Sequence, residues 1–131
     1  MAGTLTISTL SDGTNSTSST NCIKGSARCW VSFGGGQNST AGSIFGSYNV
    51  SSVTVNGTGD YTVNYTNAMP NTTYAVFGGV QENNNDASQA SNRVCNPIRT
   101  PLLTTSVRVG VVDFGYAKNN VYQVYVATFT S

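Results

Sequence analysis

The sequence predicts an all-β domain, an antiparallel β-sandwich, with a compact barrel as the neighbouring architecture. Three observations carry this. Segments alternating apolar and polar residues with period two recur along the chain, separated by clusters of Gly, Asn, Pro and Ser. No segment shows the roughly 3.6-residue periodicity of a helix. Charged residues are only 8% of the 131 positions, which leaves little material for helix surfaces, whereas Thr, Val and Tyr favour strands. A chain of this length forms one domain around one core.

The clearest element is a hairpin over 48–66, YNVSSVTVNGTGDYTVNYT. Val53 and Val55 alternate with Ser52 and Thr54, and Tyr61, Val63 and Tyr65 alternate with Thr62 and Asn64. Asn56-Gly57 between two such runs is a strong turn signal, because both residues tolerate positive φ. Gly59 permits a four-residue loop or a bulge instead of the tightest turn.

The other elements are arranged around this hairpin. Residues 4–10 (TLTISTL) read as a short strand, and the polar stretch 11–21 as a loop or linker. Together, residues 1–23 form an arm that lies on a neighbour or continues a stalk, ahead of a β domain over 24–131. In the strand 27–33, Ala27, Cys29, Val31 and Phe33 share a core face, which puts Trp30 on the opposite face. A Trp outside the core belongs to an interface, lies under a loop, or stacks on a sugar. The glycine-rich 34–42 is a connector, since no helix follows it to make a phosphate cradle. Residues 43–50 read as a strand, with Gly46 a bulge or a close approach. A turn at 67–71 leads to a strand at 73–77 and then to the long polar insertion 78–97. Strands at 105–114 and 121–130 flank the turn 115–120.

Several function classes are disfavoured. The net charge is +1 with no basic run, so nothing draws the chain to nucleic acid or an anionic membrane. No stretch reaches the roughly 18 apolar residues of a membrane span. The N-terminus lacks the basic and apolar regions of a signal peptide, and the natural chain is free to extend upstream of Met1. Cys22, Cys29 and Cys95 are odd in number and form no C-x-x-C pair, which suits reduced thiols rather than disulfides or zinc. The Asn-x-Ser/Thr sequons read as incidental in so Asn- and Thr-rich a chain. Asn83 to Asp86 offer oxygens to Ca²⁺ without the spacing of a calcium loop, so neither metal nor cofactor is expected.

There is no histidine, which removes the Ser-His-Asp and Cys-His arrangements. The acids are Asp12, Asp60, Glu82, Asp86 and Asp113. A glycosidase needs two carboxylates about 5 to 9.5 Å apart; Glu82 and Asp86 share a loop that can bring them near that spacing, and a pair formed between subunits is the alternative. Each acid also reads as a turn former or a solvated charge, with Asp60 in a structural place beside the hairpin turn. We expect no enzyme. What remains is an Asn- and Tyr-rich scaffold whose surface suits glycans and whose composition equally suits a plain structural domain.

KGSARCWVSF at 24–33, followed by YNVSSVTVNGTGDYTVNYTNAMPNTTYAV at 48–76, resembles the C-terminal domain of tail fibre and tail-associated proteins of tailed bacteriophages. The shared pattern is a K-G-S-A-[RK]-x-W-V strand and an N-V-S-S-[VI]-x-x-x-G-T-G-D-Y-T-V-N-[YF] hairpin ending in A-M-P. The chain departs from it at Cys29, in the connector 34–42, in the loop 81–97 and in the last strand. The resemblance implies a homotrimeric β domain at the end of a fibre, carried on the virion, that recognises a polysaccharide or lipopolysaccharide of the host surface. The rival expectations are a structural trimeric cap or head-fibre decoration and, in another class, a depolymerase. The resemblance names no ligand residues.

If consecutive strands run up and down, with 43–55 one bent strand and 98–104 only a connection, loops 34–42, 67–72 and 115–120 form the outward tip. The turn 56–59 and the loop 81–97 then lie where the chain enters. Tyr116 is the residue to stack on a sugar ring, and Gln37, Asn38, Asn71, Lys118 and Asn119 are its hydrogen-bonding neighbours. The second choice of site is the long loop, through Asn84, Asp86 and Arg93.

Overall fold

The computed structural model describes residues 3–82, 92–98 and 101–130. Within them the alternating segments form two four-stranded sheets, antiparallel throughout, packed face to face. The first sheet has the order β4 (Ile44–Tyr48), β3 (Cys29–Gly34), β10 (Gln123–Phe129), β7 (Ala75–Gln81). The second has the order β5 (Val50–Gly57), β6 (Asp60–Tyr65), β9 (Ser106–Asp113), β8 (Arg93–Pro97).

The core is the set of inward positions that alternation predicts. Cys29, Val31, Phe33, Val124 and Val126 come from one sheet, and Tyr61, Val63, Val107, Val109 and Val111 from the other, all essentially inaccessible. Phe33 and Tyr61 meet edge to face across the two layers at 5.1 Å between centroids. Tyr61 satisfies its buried hydroxyl by donating to the Gly35 carbonyl at 2.7 Å, which ties the sheets together at one end. At the other end the hydroxyl of Tyr74 donates to the carbonyls of Leu103 and Ser106, at 2.8 and 3.2 Å. Cys29 and Cys95 are buried free thiols, pushed up to about 11 and about 12 by desolvation.

Several elements differ from the sequence expectation. The turn of the β5–β6 hairpin is Thr58-Gly59 rather than Asn56-Gly57, with a bulge between Val55 and Gly57. Gly59 sits at φ +58, and a Cβ there would lie 2.6 Å from the Asn119 carbonyl oxygen, so only glycine fits. Residues 43–55 are not one bent strand. The chain reverses and changes sheets at Asn49, which holds φ +56. The Asn49 side chain accepts from the Asn67 N–H at 2.8 Å and donates to the carbonyls of Arg28 and Asn67, both at 3.1 Å. Asn tolerates the left-handed region, so a strand-like run conceals a corner.

The strand expected at 73–77 runs on through Gln81, and the insertion 78–97 contains a further strand, β8, in which Cys95 is the one buried residue. The N-terminal arm holds a hairpin of β1 (Thr9–Ser11) and β2 (Ser16–Ser18) and one seven-residue helix, α1 (Ser19–Gly25). The lack of helical periodicity predicts no helix, and α1 corrects that expectation as the one α-helix among the described residues. The Asp, Ser, Thr and Asn residues that read as loop are also turn and cap formers: Asp12 accepts from the N–H groups of Thr14 and Asn15, and Ser18 caps the helix through the Asn21 N–H.

Candidate functional site

Strand directions fix which loops share an end. β3 runs towards Gly34, and Gly34 pairs with Gln123, which also pairs with Gln81. The loop after β3, the Thr58-Gly59 turn and the segment after β9 therefore meet at one end. Bonds between them confirm the grouping: Gln37 N–H to the Val121 carbonyl at 3.0 Å, Gly59 N–H to Asn120 Oδ1 at 3.1 Å and Val111 N–H to the Gly59 carbonyl at 2.8 Å.

Gln37, Asn38, Tyr116, Lys118 and Asn119 are gathered at this end, as expected. The turn 56–59 lies there too, not where the chain enters, because of the reversal at Asn49. Asn71 lies at the opposite end, near Thr130, where it accepts from the Thr73 N–H at 3.0 Å. Of the second-choice residues, Arg93 sits at the tip end, opposite Asp113 in register and 3.2 Å from Glu82. Asn84 and Asp86 lie outside the described residues.

The side chains at the tip divide into braces and projections. Asp113 accepts from the N–H groups of Gly115 at 2.8 Å and Ala117 at 3.0 Å, and from the Asn119 amide at 2.9 Å. These bonds, the one from Ala117 foremost, hold its carboxyl below the usual carboxylate range. Asn119 is thus a brace, also donating to the Ala117 carbonyl. The turn so braced projects Tyr116 at φ +63, 88% exposed, and Phe114, 77% exposed. A non-glycine residue at positive φ is strained and persists because its surroundings hold it. Phe114 was missed in the sequence, since the last apolar residue of a strand gives no sign of facing solvent. Asn38, at φ +54, is exposed beside Gln37.

Lys118 has a second role. Its ammonium and the Arg108 guanidinium both bind Asp60, which is 3% exposed. The Arg108 bond holds the Asp60 carboxyl well below the usual carboxylate range, burial opposes the shift, and Lys118 adds to it.

The outer faces of the two sheets contrast. On the second sheet the outward residues bond to one another: the Asn64 amide reaches Ser52 and Thr54, both at 3.0 Å, and the Asn56 amide reaches Thr62 at 2.9 Å. On the first sheet the outward residues are aromatic and small. Tyr48, Trp30, Ala127 and Phe77 stand in one row across four strands, and Gly46, Ser32, Tyr125 and Gly79 in the next. A Cβ on Gly46 would lie 3.4 Å from the Trp30 ring, and one on Gly79 3.6 Å from the Tyr125 ring, so both rings lie over glycines of neighbouring strands. Phe77 packs edge to face with Phe129 at 5.6 Å. Tyr48 and Phe77 remain more than half exposed, and Trp30 is 45% exposed.

Among the described residues no three His, Cys, Asp or Glu side chains come together as a metal site. No protein family, curated protein or solved structure matches the chain.

Proposed function

We propose that this chain is the tip domain of a bacteriophage tail fibre, a homotrimer that recognises a polysaccharide or lipopolysaccharide of the bacterial surface without catalysis. The observation that carries this is the Asp113-braced turn, which projects Phe114 and Tyr116 from the end of the sandwich opposite the N-terminal arm. The arm enters at Arg28, whose N–H bonds the Thr128 carbonyl, so a shaft continuing the arm leaves the aromatic turn pointing outward. Exposed aromatics on a braced loop tip, with Tyr116 held at positive φ, suit stacking on sugar rings. The resemblance in 24–33 and 48–76 supplies the biological setting.

The described carboxylates all have structural partners, which supports a non-catalytic reading: Asp12 in its turn, Asp60 with two cations, Glu82 with Arg93, and Asp113 in the tip turn. The trimer rests on the aromatic face of the first sheet. An exposed row of Tyr48, Trp30 and Phe77 on a domain with so few charges is surface that closed cyclic assembly hides.

Labelled protein applied to a panel of bacterial strains tests the function. It should adhere to a subset and be competed by polysaccharide purified from an adherent strain. Uniform adherence, or none, favours a structural cap or decoration protein, for which the aromatic face alone suffices. Release of reducing ends from the polysaccharide favours a depolymerase.

A further inference from the structure

On the flank of the sandwich, a cleft opens between the outer face of the second sheet and the segment leading into β9. Asn56, Thr62, Ser106 and Arg108 line its polar side, and Leu102 and Leu103 its apolar side. The apolar wall is fixed in place, because Met69 N–H bonds the Thr104 carbonyl at 2.8 Å and the Tyr74 hydroxyl bonds the Leu103 carbonyl at 2.8 Å. The cleft is therefore preformed.

Arg108 is equally fixed. It grips Asp60 through Nε and Nη2, which leaves Nη1 with no partner among the described residues. With Lys118 on the same carboxylate, two positive charges meet one negative, so the cluster carries a net positive charge. The neighbouring groups are unspent as well. The Asn56 amide donates to Thr62 and Asp60, leaving its carbonyl oxygen and the Thr62 hydroxyl hydrogen available, and the Ser106 hydroxyl has no partner among the described residues.

We propose that this cleft binds a sugar carrying one anionic group, with Arg108 anchoring the anion. The geometry supplies each part of such a ligand with a counterpart. The free Nη1 takes a carboxylate or phosphate oxygen in a charge-assisted bond. Asn56, Thr62 and Ser106 exchange hydrogen bonds with ring hydroxyls, and the leucine wall covers the weakly apolar ring face. The cleft borders the tip segment, since Lys118 shares Asp60 with Arg108, but it takes a ligand of its own and so goes beyond the recognition proposed for the turn of Phe114 and Tyr116.

Titration of the ¹⁵N-labelled full chain with glucuronate, glucose 6-phosphate and glucose tests the proposal. At least one anionic sugar should shift the Asn56 side-chain amide, the Ser106 amide and the Arg108 Nε–H signals, and should bind at least roughly tenfold more tightly than glucose, the share of one charge-assisted bond. The two anionic probes distinguish a carboxylate ligand from a phosphate one. Arg108 also holds Asp60, so the variant of choice is Leu103→Asp, which sets a like charge on the exposed rim of the cleft and leaves that pair untouched. It should weaken binding of the anionic sugar at least roughly tenfold with an unchanged amide spectrum elsewhere. Equal binding of glucose, shifts clustered at Tyr116 instead, or unimpaired binding by Leu103→Asp would overturn the proposal. Adherence to cells that is indifferent to Leu103→Asp leaves the tip function standing and places this site outside adhesion. Sugar binding here by a protein that adheres to no strain retains the cleft and removes the proposed function.

Discussion

The Arg108 guanidinium holds both oxygens of Asp60, Nε to Oδ1 at 2.8 Å and Nη2 to Oδ2 at 2.7 Å, across neighbouring strands of the second sheet. Asp60 directly follows the hairpin turn, and Lys118 reaches the same carboxylate from the segment after β9. One acid thus locks the turn, the strand beside it and the tip segment together. Asp60→Asn keeps the shape and removes the charge, and should destabilise the fold by about 1.5 to 3 kcal/mol, the range for hydrogen bonds to charged groups. Urea unfolding should show a lower midpoint with an unchanged slope.

The same pair gives a pH dependence of known sign. The folded-state pKa of Asp60 is depressed, so the unfolded chain binds the proton more tightly. The stabilisation is fully present above the unfolded carboxyl pKa, about 3.9, and is lost as pH falls below it towards the folded value. Wild-type stability should fall steeply below about pH 4. Asp60→Asn should lose less over that interval, and an equal loss would show that other carboxylates dominate.

Two glycines of the hairpin should behave oppositely. Gly57 has open space where a Cβ would go, so Gly57→Ala should change stability by no more than about 0.5 kcal/mol. Gly59 combines positive φ with backbone contacts under 3 Å, so Gly59→Ala should cost about 2 kcal/mol or more. Thermal unfolding of both variants checks this, and the reverse order would restore the turn to Asn56-Gly57.

The aromatic sheet face predicts association. Light scattering should return three times the 13.7 kDa chain mass. Trp30→Ser with Phe77→Ser should lower that mass and leave the β-sheet circular dichroism intact, since both side chains point away from the core. A trimer unaffected by the double variant moves the interface elsewhere, to the exposed Leu5, Leu10 and Ile23 of the arm first of all.

What was legible in the sequence follows from how local each signal is. Alternation places a residue on a face without any knowledge of its partners, so the core valines of β9, the inward Cys29, Val31 and Phe33, and the outward Trp30 could all be read directly. β8 could not, because its apolar residues Val94 and Cys95 are adjacent, one exposed and one buried, and make no alternation. The reversal at Asn49 looks like an uninterrupted strand, since it is made by a side chain bonding to residues 18 and 21 positions away. That single omission moved Asn71 to the wrong end and the 56–59 turn with it. Asp60 read as a turn former because its Arg108 partner is 48 residues distant. The aromatic face needed the register of four strands, which no one strand encodes.

Recognition by the tip turn is tested most directly by Tyr116→Ala in the adhesion assay. Tyr116 is exposed and touches no core residue, so the variant should keep its oligomeric mass and unfolding midpoint. Its adherence to susceptible cells should weaken by about 1 to 3 kcal/mol, the scale of a binding-site aromatic, while Asn71→Ala, at the far end, should adhere like wild type. Normal adherence of Tyr116→Ala, with a loss on Arg93→Ala instead, would contradict the account and move the site from the tip turn to the edge at β8.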